Sequence, residues 1–534
     1  MQASLVFAPA SSPAYMPLGI AALAEYMGIY CPSCQLSTHD LNIKLWDNLS
    51  DQKPEFIRFK DFFRGKEGNF FDKAQYLYHL ESWFEISRQI DKYSDACKNY
   101  LQTDQMTESL AEILHDQCNS ILIEAPKIIG ISVMYPEQII PSLAIAKHIW
   151  EIKGTEKPDI ILGGATASIM DADEILHCCE FVDAILQGEG EEGLRMLCEE
   201  YAYNNIPGLR YRSHGNILKN TKPDTISLAK VPLPTFACLD TSLYFNSSPV
   251  VPVIFSRGCK WRKCRFCAHN FSYSGYRKHQ ISKFVDYLEY MDNSMGARHF
   301  YFADQYVDAD DMVALSREIL NRNLDIAFHI MGRPTDDYTP EILDTMSQAG
   351  CRWISWGVES GSQRLIDICN KGTSVDTIKK VLEDTYNANI SNLPMMIYGL
   401  PTSNDIDLEQ TFDMIDDVLD YCDDFTASSF KLFDQTPFAS QAAKYDIKIT
   451  EQEVIFTRKG VDVHSMRLIF KEKAADCTYR TPRGPYEADK WRRRKKMMGL
   501  NSVFTDLCCE HYLLYANQMH SIINNKPRKR PAVS

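Results

Sequence analysis

Cys259, Cys264 and Cys267 lie within nine residues of one another, in the run SRGCKWRKCRFCAHN. Three thiolates at that spacing can hold a metal centre and still leave one coordination position open. Structural zinc sites close with four protein ligands, whereas iron–sulfur clusters are built on Cys thiolates and can leave one iron to a second molecule. Both chemistries are open at this point, because His269 follows Cys267 by two residues and could complete a tetrahedral zinc site. Glycines mark a second candidate site. Gly163 and Gly164 follow the apolar run IIL, and Gly188 and Gly190 follow AIL. At such positions a chain leaving a strand turns tightly and a ligand can approach the backbone.

The elements that must carry these residues alternate. Over residues 1–210 the pattern predicts strands at 4–8, 35–40, 128–132 and 160–162, with helices at 18–29 and 191–201. Strand–helix alternation predicts a parallel sheet in a Rossmann-like α/β domain, whose ligand-binding loops leave the carboxyl ends of the strands. Residues 41–125 break the rhythm and read as a helical insertion, a hairpin or cap. Residues 211–248 hold a β-hairpin turning at His214 and Gly215, then the Pro-rich connector VPLPTF. Residues 249–445 restart the alternation with PVIF, HFYFAD, DIAFHI, RWISWG, LPMMIYG and TASSFKLF. Six β/α units fall short of the roughly eight of a closed barrel, so a partial (β/α)6 barrel is expected. The cysteine triplet follows its first strand, on the carboxyl face. Residues 446–534 read as a small, mostly helical accessory domain with a basic tail. Arg492, Arg493, Arg494, Lys495 and Lys496 form one basic run there, and Lys526, Arg528, Lys529 and Arg530 another; either is a solvated face or a dock for an acidic substrate.

Composition narrows the class. A chain of 534 residues, 45% of them hydrophobic, can bury two or three cores. Seventeen cysteines without a secretory apolar region at the amino terminus point to a reducing cytoplasm rather than a disulfide scaffold. No run approaches the roughly 20 apolar residues of a membrane-spanning helix. The formal net charge of -14 argues against general nucleic-acid binding, which draws on Lys and Arg against phosphates.

The triplet, with Phe266 before its last Cys, resembles the radical S-adenosylmethionine superfamily. ISWGVESGSQRLIDICNKG and MMIYGLPTSNDIDLEQT resemble later segments of the same barrel. The resemblance implies that Cys259, Cys264 and Cys267 hold a [4Fe–4S] cluster whose fourth iron is chelated by S-adenosylmethionine. It further implies that Phe266 lies against the adenine, that Glu359 and Ser360 contact the ribose or methionine end, that Arg333 approaches the methionine carboxylate, and that Asp304 takes the amino group. One departure stands out: four residues separate Cys259 from Cys264, where the family has three.

PLGIAALAEYMG, GISVMYPEQ, IILGGATAS and ILQGEGEEGL, in that order, resemble the cobalamin-binding domain of the cobalamin-dependent branch. By that resemblance Ser132, Gly163, Gly164, Gly188 and Glu189 line the crevice for the corrin tail. The Asp-x-His-x-x-Gly signature of other cobalamin proteins is absent, since Asp40 is followed by Leu41 and Asn42 and His39 precedes it. The implied cobalamin therefore lacks a His lower ligand, and His39 points into the layer covering the sheet. The activity implied is C-methylation of an unactivated carbon through a 5′-deoxyadenosyl radical and methylcobalamin, with a non-methylating cyclisation or rearrangement as the alternative. A zinc-stabilised binding module without catalysis is the alternative from another class. The expected partners are a small-molecule or peptide substrate and an electron donor such as flavodoxin or ferredoxin.

Overall fold

Strands in the amino-terminal half are apolar on both faces, as IIGIS and DIILG illustrate, and such strands pair in parallel under helices on either side. A computed structural model of the chain describes residues 1–222, 225–269, 273, 275–433, 435–445 and 447, two short strands at 454–456 and 466–468, and a helix at 509–524. The first sheet contains β1 (Gln2–Phe7), β2 (Gln35–Asp40), β3 (Ile128–Ser132), β4 (Asp159–Gly163), β5 (Ala184–Leu186), β6 (Leu209–Ser213) and β7 (Asn216–Lys219). Their order is β2-β1-β3-β4-β5-β6-β7, with the first five parallel. Chain direction across the sheet reverses between β1 and β3, so a crevice opens beyond their carboxyl ends.

Two expectations change here. The hairpin assigned to a connector is part of the sheet: β6 pairs antiparallel with β5, Leu186 opposite Leu209, and so covers an edge that β5 would otherwise expose. Its turn has His214 at φ 48° and Gly215 at φ 79°, the two left-handed residues of a tight hairpin. The insertion is larger than a hairpin or cap. It forms four helices, Leu41–Ser50, Pro54–Phe63, Lys73–Thr103 and Glu108–Leu122. Phe56, Phe59, Phe62 and Phe63 share one buried helix face, and Phe59 and Phe63 meet Trp83. The longest helix lies on Ile139–Lys153 of the sheet's covering layer, where Lys147 Nζ donates to Tyr100 O at 3.0 Å.

The second sheet contains β8 (Val250–Val253), β11 (His299–Phe302), β12 (Ala327–Gly332), β13 (Cys351–Glu359), β14 (Ser391–Tyr398) and β15 (Thr426–Ser429). All six are parallel and adjacent in chain order, an open partial barrel. Between β8 and β11, β9 (Ser256–Arg257) and β10 (Arg277–Lys278) form a two-residue antiparallel ladder closing the base of the cysteine loop. Beyond residue 445, β16 (Val454–Phe456) pairs with β17 (Met466–Leu468). Helix Cys509–Asn524 is integrated rather than accessory. His511 is fully buried and bonds Tyr76 OH of the insertion (2.9 Å) and Phe245 O (2.6 Å). Asn517 meets Arg352 and His299 at the amino ends of β13 and β11. Both basic runs, 492–496 and 526–530, lie outside the described residues. Among the described residues no helix is long and apolar enough to cross a membrane.

Candidate active site

The cysteine loop begins where β8 ends. Asp304, just past β11, is 1% exposed and braces that start: its carboxylate accepts from Phe255 N (3.0 Å), Ser256 Oγ (2.6 Å) and Ser256 N. Burial pushes its pKa up to about 7. Both of its oxygens are thus engaged by the loop rather than turned to a ligand. Cys259, Cys264 and Cys267 follow, all half-buried. The long step between the first two is taken up by Arg262 in a left-handed conformation (φ 51°). Trp261 folds back, and its Nε1 donates to Asn370 O at 2.8 Å. Its ring lies over Gly372, where a Cβ would stand 2.2 Å from the indole and φ is 71°, so only glycine fits.

Across the loop, at the carboxyl end of β13, the β13–β14 register slips and Glu359 adopts φ 69°. That turn sets its carboxylate against Lys371 Nζ at 2.5 Å, both residues 7% exposed. Burial works against the Lys371 charge, yet Glu359 and then Cys264 outweigh it and raise its pKa. Burial likewise pushes the Cys264 thiol up to about 11, against the pull of Lys371, with Cys267, Glu359 and Cys259 adding to the rise. The three thiols, Glu359 and Lys371 therefore share one electrostatic environment. Phe266 presents its ring 5.8 Å from Lys371 Nζ. Arg333 stacks over Trp261 at 4.5 Å and donates to Lys371 O and Gly372 O, both at 3.1 Å.

Of the residues expected around S-adenosylmethionine, Phe266 and Glu359 lie beside the thiols, and Arg333 reaches the same loop through Trp261 and the backbone of Lys371 and Gly372. Ser360 does not, because its hydroxyl bonds Thr411 Oγ1 at 3.1 Å and accepts from Ser362 N at 3.1 Å in the layer behind the sheet. Lys371 escaped the sequence reading. Its only local signal is its place between left-handed Asn370 and Gly372 at a helix end, which fixes where the side chain points. Among the described residues no three His, Cys, Asp or Glu side chains converge tightly enough for a single metal ion. Three half-buried thiols on one loop, with the buried Lys371–Glu359 pair beside Cys264, are a donor set that fits an iron–sulfur cluster.

The second edge assembles as expected in part. Ser132 and Gly163 end β3 and β4 directly opposite one another, with Ser132 also opposite Phe7 at the reversal point. Gly164 has φ 101°, and a Cβ there would lie 2.6 Å from Val133 O. Gly188 N donates to Ser168 Oγ at 2.9 Å. Glu189 departs from the crevice: its carboxylate is ion-paired with Arg257 (2.8 Å) and Arg277 of the cysteine loop. His39 is buried and its pKa is pushed down to about 4, chiefly by burial. Asn42, two residues past Asp40, accepts from Ser11 N at 2.9 Å and donates to Ser12 O at 3.4 Å. Asp40 caps the helix through Ile43 N (2.9 Å) and accepts from Tyr244 OH (2.6 Å).

Residues 253–415 match the Radical SAM superfamily. The anaerobic magnesium-protoporphyrin IX monomethyl ester cyclase of Cereibacter sphaeroides is 26% identical over 339 residues, 60% of this chain and 52% of its own. The cobalamin-dependent S-adenosylmethionine radical enzyme OxsB, solved with aqua-cobalamin and S-adenosylmethionine, superposes with a TM-score of 0.56 at 17% identity over 78% of this chain and 51% of its own. The radical S-adenosylmethionine methyltransferase TsrM from Kitasatospora setae, solved with cobalamin and a [4Fe–4S] cluster, gives 0.57 at 15% identity over 85% and 77%. The chain thus spans about half the length of the cyclase and of OxsB. The superfamily match implies a [4Fe–4S] cluster and S-adenosylmethionine. The chain carries a radical S-adenosylmethionine domain over residues 253–415, within a fold it shares with cobalamin-dependent enzymes of that superfamily.

Proposed function

We propose that the protein is a cobalamin-dependent radical S-adenosylmethionine enzyme that methylates an unactivated carbon, with electrons from a flavodoxin- or ferredoxin-type donor. The observation that carries this reading is the apposition of the two sites: the loop bearing the thiols is ion-paired to the glycine-loop edge of the first sheet through Arg257 and Arg277 on Glu189. When bound, the cluster and S-adenosylmethionine supply a 5′-deoxyadenosyl radical, and cobalamin a transferable methyl group.

The residues divide the remaining work. Cys259, Cys264 and Cys267 hold the cluster. Lys371 offsets thiolate charge, and with Arg333 it provides the cations for a ligand carboxylate. Glu359 accepts from ligand hydroxyl or amino groups, and Phe266 offers an apolar face. Ser132, Gly163, Gly164 and Gly188 give the corrin tail close backbone approach. Asn42 occupies, two residues after Asp40, the sequence position that the Asp-x-His signature gives to its imidazole, which supports a cobalamin without a His lower ligand.

A second reading, cyclisation without methyl transfer, draws support from the likeness to the magnesium-protoporphyrin cyclase. Anaerobically reconstituted full-length protein, given S-adenosylmethionine, hydroxocobalamin, a reductant and fractionated cell extract, separates the two. Methylation releases S-adenosylhomocysteine alongside 5′-deoxyadenosine. Deoxyadenosine alone over many turnovers overturns methylation in favour of cyclisation, and no deoxyadenosine at all overturns both.

A further inference from the structure

The cysteine loop leaves the barrel at Arg257 and returns at Arg277, and these two residues face each other directly in the β9–β10 ladder. Residues directly opposite in an antiparallel pair project from the same face. Here both guanidinium groups reach one carboxylate. Arg257 bonds Glu189 Oε2 at 2.8 Å, and Arg277 bonds the same oxygen at 3.1 Å and Oε1 with its other terminal nitrogen. The second terminal nitrogen of Arg257 bonds Glu191, and Arg277 also donates to Ile226 O at 2.5 Å in the segment joining the two sheets. All four side chains are largely buried, with exposures of 9% for Arg257, 8% for Glu189, 4% for Glu191 and 16% for Arg277. The two acids flank Gly190 at the start of helix Gly190–Cys198, immediately after the Gly188 turn.

Buried ion pairs of this kind add little net stability, because desolvation cancels most of the attraction; their best-attested use is to fix one register among several. Apolar contacts would hold the two sheets together equally well. They would not tie both ends of the cysteine loop to a single atom pair on the opposite edge. On the two-cofactor reading proposed above, we infer that Glu189 is a positioning residue that sets the span between the cluster and the cobalamin edge. It receives both arginines of the loop's base, and Glu191 holds Arg257 from the far side. Glu189 has no part in ligating the cluster or in gripping the corrin.

The test uses the full chain, reconstituted with iron, sulfide and hydroxocobalamin and reduced so that cluster and cobalt are both paramagnetic. The readout is relaxation enhancement of the cob(II)alamin electron paramagnetic resonance signal by the cluster, which falls steeply with their separation. Glu189→Gln and Glu189→Ala are expected to keep wild-type iron and cobalamin content while that enhancement drops several-fold, and Glu189→Asp to restore most of it. Glu200→Gln, on the exposed end of the same segment, should match wild type. Unchanged relaxation in both variants would overturn the inference, as would loss of cobalamin uptake with iron content intact, which would make Glu189 a cofactor contact. A wild-type chain that takes up no cobalamin overturns the two-cofactor reading itself, and that result is read before any variant is compared. Should Glu189→Ala fail to fold, the near-isosteric Glu189→Gln carries the comparison alone.

Discussion

Glu359 holds a left-handed backbone (φ 69°) at the end of a buried strand, a conformation that costs a non-glycine residue about 1–3 kcal/mol and persists where its surroundings over-determine it. What determines it here is the register slip beside β14 and the ion pair with Lys371. Removing one partner of such a pair leaves a buried charge unmatched, at a cost of about 3–5 kcal/mol, whereas removing both is nearly neutral. Lys371→Met is therefore expected to lower the unfolding free energy of the cluster-free protein by about that amount in denaturant titrations. Lys371→Met/Glu359→Gln should recover most of the loss, and additive losses in the double variant would refute the coupling. The cysteines were legible as a metal-binding set because their type and spacing are local, and Glu359 was named only through the resemblance of ISWGVESG to a known segment. Lys371 was not, since its role depends on the fold returning residue 371 to Cys264. Asp304, Ser360 and Glu189 stand at strand ends, as the sequence indicated, but what their oxygens bond is set by Ser256, Thr411 and Arg257, far away in sequence.

At the scale of elements, the loop between β9 and β10 is held from outside as well as at its base. Trp261 closes onto the turn Asn370–Gly372, so that the extra residue between Cys259 and Cys264 is absorbed by a packed fold rather than by slack. Gly372→Ala would put a Cβ 2.2 Å from the indole at a φ of 71° and must displace Trp261. The expected outcome is iron content per chain reduced several-fold after reconstitution, with far-ultraviolet circular dichroism unchanged. Iron retained at the wild-type level would show that the tryptophan does not shape the loop. Alternating apolar runs announced both sheets and the strand after which the thiols lie. They could not announce that β6 pairs with β5, because edge coverage joins elements by proximity and leaves no mark on periodicity. The helices of 41–125 read only as an insertion for a similar reason: their apolar faces, Trp46 and Phe59 among them, are addressed to Phe245 and helix Ile139–Lys153.

Across the whole molecule, burial has shifted many titrating groups, and their balance gives stability a direction in pH. His39, His279, His299 and His511 are pushed down to about 4 and His329 to about 3, each chiefly by burial. A depressed imidazole stays neutral in the fold but takes a proton when unfolded, so its contribution is present above about pH 6.5 and is lost as pH falls toward 4. Asp40, raised to about 6, Asp304, raised to about 7, and Asp183, raised also, act the other way, again chiefly through burial. Each keeps its proton longer in the fold, so its contribution is lost as pH rises through the same window. With His79, His148 and His269, which burial also lowers, eight imidazoles among the described residues outweigh three carboxyls, so between about pH 4.5 and 6 the unfolded chain binds more protons and stability falls on acidification. His39 and Asp40 are neighbours of opposite sign, which makes them the sharpest pair to alter. In denaturant titrations of the cluster-free chain, His39→Gln should flatten this acid loss and Asp40→Asn should steepen it, each by up to about 1.4 kcal/mol per pH unit. Variants that shift the curve in parallel, leaving its slope unchanged, would show that neither group titrates differently in the folded protein.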